Sequence, residues 1–206
     1  PTQVKIDLNG QFLGSEDLCL VGMWLTKPDV ISVVEEIDLS GCPVTDSKLL
    51  TKDQEGQPNN GTSSDAVDTN LDGLEAVCSS LSAYKYGGKT KKVSKTLALR
   101  DSGVGNKGCQ VLAKLITDCG ALLGIDIGQN MFDIAGARAI GGVVKRAHAN
   151  HQSLHWVKLG SAETVTIPVS KKKIKTLDLS KAALSAPIGP IEASVLGGAL
   201  LPMPSI

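Results

Sequence analysis

The stretch LLGIDIGQNMF, Leu122 to Phe132, decides the fold. Ile125 and Ile127 stand two apart, so on an extended backbone both face one side while Asp126 faces the other. Leu122 lies three residues before Ile125, where a turn can bring it beneath that same side. Asn130 follows where the chain leaves the strand. Backbone groups lose their ladder partners at such a point, and a buried side-chain amide can satisfy them. Further on, Ala137, Ile140, Val143, Val144 and Ala147 recur at helical spacing. Strand, turn, helix and return make one unit. A unit of this kind cannot bury its own apolar side, so copies must stack.

Working outward, the same frame returns along the chain. Leu97, Leu99, Ser102 and Val104 precede it by 28 residues, and the helices behind the two strands superpose. Cys109, Leu112, Ala113, Leu115 and Ile116 fall on Ala137, Ile140, Gly141, Val143 and Val144. At an offset of 91, Leu18, Val21, Gly22, Trp24 and Leu25 fall on the first of these sets. That helix follows a strand with Ile6 and Leu8, then Gln11 and Leu13, and Ser15 is its expected N-cap. A second strand carries Val34, Ile37 and Leu39, followed by Cys42 and Val44. A fifth carries Leu154, Val157 and Leu159. The Val165–Val169 stretch reads as extended, so this unit is expected to lack a helix. A sixth has Ile174, Leu177 and Leu179, with a helix through Ile191, Val195, Leu196 and Ala199.

Between the second strand and its helix the pattern stops. Residues 51–70 are polar, rich in Gly, Ser, Asn and Asp, and without period, which reads as a flexible insertion. The spacing of Leu71, Leu74, Val77, Cys78 and Leu81 marks the displaced helix of the second unit. The whole chain, 1–206, is read as one domain.

Composition narrows the function classes. Lys plus Arg and Asp plus Glu both number 21, so net charge gives no pull toward nucleic acid or an anionic membrane. No apolar run approaches the ~20 residues that span a bilayer. Aromatics are only 3% while glycines number 22, which suits thin, closely stacked layers. Five cysteines, odd in number and without a CxxC, point to free thiols in a reducing, intracellular compartment.

The motifs LLGIDIGQNMF, VVEEIDLSGCPV and IKTLDLSKAAL resemble the leucine-rich repeat family, in its long-repeat, ribonuclease-inhibitor-like branch. The resemblance covers nearly the whole chain apart from residues 51–70. It implies an α/β, curved solenoid with about six parallel strands on the concave face and helices on the convex face. Strands sit ~4.8 Å apart and helix axes ~8–10 Å, so layers thicker on the helix side must bend with the strands inside. The family's asparagine position is filled here by Gln11, Cys42, Ser102, Asn130, Ala162 and Ala182. Cys and Ser partly replace the amide, and Ala does not.

A curved repeat protein usually binds through outward strand residues. Here Asp7, Asp38, Ala98, Asp126, Lys158 and Asp178 lie between the inward pairs, with Arg100 close by. Four carboxylates make a candidate acidic strip for a basic partner segment, although the same position is polar simply because it is wet. Trp156 is an outward aromatic and a candidate anchor, or else a cover for the fifth unit. The expected binding set is therefore Asp7, Asp38, Arg100, Asp126, Trp156, Lys158 and Asp178.

Other motifs carry less. His148, His151 and His155 are spaced HxxHxxxH, but the helix is expected to end among them, so no metal site is read there. Gly87-Gly88-Lys89-Thr90 lacks the first glycine of a phosphate loop, because Ala83 stands in its place, and it lies between helix and strand in the wrong order. Lysines 85, 89, 91, 92 and 95 and lysines 171, 172, 173 and 175 read as solvated loop residues. No triad or paired-acid set stands out, so no catalytic residue and no cofactor is expected.

The expectation is a non-enzymatic protein–protein interaction scaffold. It would be a subunit of a larger hetero-oligomeric assembly, cytoplasmic, or else cytoskeletal, ciliary or mitochondrial. The alternatives are an activator of a small GTPase, which the family resemblance implies, and a binder of RNA or acidic surfaces through the lysine-rich tips. A small-molecule substrate is not expected.

Overall fold

Short extended runs, with Ile6, Ile37, Leu97, Ile125 and Val157 at equivalent places, form a sheet because each places one or two aliphatic residues on a single face. The computed structural model describes residues 4–47, 67–83, 95–149, 154–160, 165–168 and 195. In chain order they form β1 (Val4–Asp7), α1 (Ser15–Leu25), a short α2 (Pro28–Ile31), β2 (Val34–Asp38), α3 (Asp72–Ala83), β3 (Lys95–Ala98), α4 (Asn106–Asp118), β4 (Leu122–Asp126), α5 (Ile134–Ala149), β5 (Trp156–Leu159) and β6 (Val165–Pro168). The sheet follows the chain, β1-β2-β3-β4-β5-β6. Strands β1 to β5 pair in parallel. The helices follow in the same sequence, α1 on α3, α3 on α4 and α4 on α5. The architecture is α/β, with five parallel strands and a row of helices packed behind them. No helix among the described residues is long and apolar enough to cross a membrane.

Ile37, Leu97, Ile125 and Val157 share one register row and are fully buried, as are Leu39, Leu99, Ile127 and Leu159 two residues on. The helices close the core with Leu18, Leu25, Leu74, Leu81, Leu112, Ile116, Ile140 and Val144. Helices α1 and α3 come especially close. A Cβ on Gly22 would stand 2.8 Å from the Ala76 backbone, and one on Gly73 would stand 2.8 Å from the Leu18 Cβ. The approach lets Ser80 Oγ donate to the Gly22 carbonyl at 2.8 Å and Gly73 N donate to Ser15 Oγ at 2.7 Å. Ser15 is therefore buried inside the first turn and receives a bond from α3. Gly14 takes the N-cap place expected for Ser15.

The turns after the strands are bonded in one recurring way. Cys42 Sγ donates to the Leu8 carbonyl at 3.1 Å, Ser102 Oγ to Leu39 at 2.9 Å and Asn130 Nδ2 to Leu99 at 2.7 Å. Each side chain reaches back to the carbonyl two residues after the aliphatic residue of the preceding strand. Thiol, hydroxyl and amide thus fill one structural place. Only the amide also accepts, taking Ser102 N and Val104 N on Oδ1, both at 3.0 Å.

Four expectations need correction or restriction. The sheet's sixth described strand, β6, runs antiparallel on β5, because the few residues between Leu159 and Val165 are too short for the crossover that a parallel neighbour needs. The expected parallel strand at Leu177 and the residue Asp178 lie outside the described residues. The insertion read over residues 51–70 is not free throughout. Asp68 N donates to Ser47 Oγ at 2.8 Å and Asn70 N to the Thr45 carbonyl at 3.1 Å, so its last residues are tied to the chain before it. Asp68 then turns its buried carboxylate onto α4, where Oδ1 accepts Gly105 N at 2.8 Å and Oδ2 accepts Lys107 N and Gly108 N at 2.8 and 3.0 Å. Lastly, Lys95 is no solvated loop lysine. A register shift sets it opposite Leu122, and it is buried with its Nζ donating to the carbonyls of Ile31 and Val34. Burial lowers its pKa from 10.5 to about 8.

Candidate interaction face

The strand face is laid out by register. One row runs Asp7, Asp38, Ala98, Asp126, Lys158 and Thr166. The row two residues earlier runs Lys5, Glu36, Thr96, Gly124, Trp156 and Pro168. Four residues of the expected set, Asp7, Asp38, Asp126 and Lys158, thus stand in a single row, and Trp156 stands beside it. Arg100 sits in the turn after β3, two residues past the row. Lys5 and Glu36 belong to this face but were missing from the expected set. Their signal was available, since each precedes a row aspartate by two.

The acidic strip is therefore half compensated. Lys5 Nζ lies 3.1 Å from Glu36, 3.5 Å from Asp7 and 3.6 Å from Asp38. The bond to Glu36 and the neighbouring carboxylates hold the Lys5 pKa above its usual value. Three acids and one base occupy the β1–β2 end. At the other end, Lys158 Nζ lies 4.9 Å from the centre of the Trp156 ring. The face is polarised along the sheet, acidic at one end and cationic–aromatic at the other.

The aspartates also have local work. Asp7 Oδ1 accepts Asn9 N at 3.2 Å, Asp38 Oδ1 accepts Ser40 N at 3.1 Å and Asp126 Oδ1 accepts Gly128 N at 3.0 Å. Each holds the turn leaving its own strand, an Asx arrangement. Where Ala98 replaces aspartate, Ser40 Oγ from the neighbouring turn accepts Arg100 N at 3.3 Å instead. The recurring Ile-Asp-Leu is thus explained by turn geometry as well as by wetness.

Trp156 is half-buried. Its indole lies against Gly124, where any Cβ would overlap the ring. Gly128 likewise makes room for Arg100, since a Cβ there would stand 2.6 Å from Arg100 Nη1 and 3.3 Å from Asp126 Oδ1. Two glycines in and after β4 therefore admit the large side chains of the adjacent strand and turn. Trp156 covers the sheet with one side of its ring and keeps part of its surface in solvent.

Elsewhere the chemistry is muted. All five cysteines are free thiols, and burial pushes the thiol pKa of Cys78 and Cys109 up, which disfavours the nucleophilic thiolate. A groove of about 690 Å³ lies between α3 and α4, with Glu75, Cys78 and Lys114 in its walls. No group of three or more His, Cys, Asp or Glu residues able to hold a metal ion occurs among the described residues. No protein-family model matches the chain, and no curated protein matches it.

Proposed function

We propose that the chain is a leucine-rich-repeat solenoid of the long, ribonuclease-inhibitor-like kind, acting as a non-enzymatic scaffold that binds a protein partner on its concave strand face. In this reading it is an intracellular subunit of a larger assembly. The side-chain-to-carbonyl ladder through Cys42, Ser102 and Asn130 supports the repeat reading, because it gives successive turns one bonding rule despite three different residues.

The observation that carries the binding reading is the polarised, in-register face. Lys5, Glu36, Asp38, Asp126, Trp156 and Lys158 stand on β1, β2, β4 and β5, with the small residues Thr96 and Ala98 of β3 between the two ends. A partner segment with a basic stretch over β1–β2 and an acidic one over β5 matches it, with an apolar contact on Trp156. Such complementarity sets orientation and rejects wrong partners more than it adds raw affinity. The test is capture with cross-linking from native cells, comparing the natural chain with Glu36→Gln plus Asp38→Asn and with Lys158→Glu. Asn at 38 keeps the acceptor that holds Ser40 N. Loss of the same captured protein in both variants is expected. Undiminished capture by both contradicts the reading.

A further inference from the structure

Charge is divided along the sequence. Residues 1–83 carry 14 Asp and Glu against 4 Lys and Arg, whereas residues 84–206 carry 7 against 17. The division falls between α3 and β3. Strands and helices stack in chain order, so the two signs are separated in space as they are in sequence.

The helix side, opposite the strand face, carries the same division across one seam. An offset of 35 residues relates α3 to α4, and Leu74, Val77, Cys78 and Leu81 fall on Cys109, Leu112, Ala113 and Ile116, all buried. At exposed places of that frame, Asp72, Glu75 and Ser79 fall on Lys107, Gln110 and Lys114. Helix α5 continues the basic side with exposed Arg138, Lys145 and Arg146. Both seam helices are interior to the row, since α1 packs on α3 and α5 packs on α4. The groove between them has Glu75 in one wall and Lys114 in the other. The ion pairs found among the described residues are those of Lys5, so none joins α3 to α4. Acids and bases thus lie side by side on this surface without answering one another.

We propose that the helix side is the contact between two copies of this chain, related by a two-fold axis running along the α3–α4 seam. Helices α3 and α4 run in the same direction, because each precedes a strand of one parallel sheet. Rotation about an axis parallel to them sets α3 of one copy opposite α4 of the other, with their N-terminal turns level. Asp72 and Glu75 then face Lys107 and Lys114, and the symmetry makes the same match a second time. An isologous contact requires a self-complementary patch, and a seam with acids on one side and bases on the other is such a patch. An anionic surface or a nucleic acid is a poorer occupant. It would be drawn to α4 and α5 but repelled by the acids of α3.

The test is the solution mass of the full chain, by sedimentation, in salt of about 0.01 M and about 1 M, where charges are screened beyond ~30 Å and ~3 Å. A dimer near twice the 21.4 kDa chain mass is expected at low salt, and monomer at high salt. Glu75→Lys and Lys114→Glu, both at exposed places, are each expected to raise the dimer Kd at least about tenfold, since each sets like charges opposite one another twice. An equimolar mixture of the two variants is expected to associate again, through one natural and one exchanged pair. Mixing cannot repair a variant that fails to fold, so this recovery reads the contact itself. Monomer at both salt concentrations overturns the proposal, as does undiminished association of both variants or no recovery on mixing. Masses that grow past the dimer also overturn it, because they mark an open chain of copies in place of a two-fold pair.

Discussion

Among the described residues, Asn130 concentrates more bonding than any other single amide in the sheet turns. Its Nδ2 faces the carbonyls of Leu99, Ile127 and Gly128 at 2.7, 3.0 and 3.2 Å, while Oδ1 receives two backbone amides. Asn130→Ala removes donor and acceptor together and leaves part-buried backbone groups unmet. A loss of about 3 kcal/mol is expected in denaturant unfolding, against about 1 kcal/mol for Ser102→Ala. Lys95 makes the opposite case, a charge held where the sequence frame wants an aliphatic residue. Its pKa is lowered on folding, so the unfolded chain binds the proton more tightly. Stability is then greatest where both forms are neutral, above 10.5, and falls as pH drops toward about 8. The unfolding midpoint in urea is expected to rise between pH 8 and 10.5, and Lys95→Met is expected to flatten that rise.

Helix α4 begins at Asn106, yet its first amides are met by Asp68, 37 to 40 residues earlier in the chain. An anion at a helix N-terminus is favoured by the exposed N–H groups and the helix dipole. Asp68→Ala is expected to cost about 2 kcal/mol and to speed amide exchange at Gly105, Lys107 and Gly108 ahead of the rest of α4. This contact marks a limit of sequence reading. The strands at Ile37, Leu97, Ile125 and Val157 and the displaced α3 were legible, because period-2 and 3.6-residue spacing survive in Ile-Asp-Leu and in the aliphatic helix stripes. The place of Cys42 and Ser102 in the turns was legible too, from the position that Asn130 defines. Asp68, Ser15 and Lys95 were not, because a polar residue in a polar stretch carries no period. Their burial depends on which distant segment folds over them. The strand-face set was half legible. Alternation gave Asp7, Asp38, Asp126 and Lys158 and carried the same signal for Lys5 and Glu36, whereas their ion pairing required knowing that the two lie side by side across β1 and β2.

Across the sheet, register rather than any single side chain makes the proposed binding face. Charge is sorted along it, with Lys5, Asp7, Glu36 and Asp38 at one end and Trp156 and Lys158 at the other. Photo-cross-linking separates strand face from helix face most directly, with the photoreactive residue placed at Thr96 or Lys158 and, as the control, at exposed Lys145 on α5. The expected result is a discrete protein adduct from positions 96 and 158 that Lys158→Glu, introduced with the label at 96, removes. Adducts formed only from position 145 would contradict binding by the strand face.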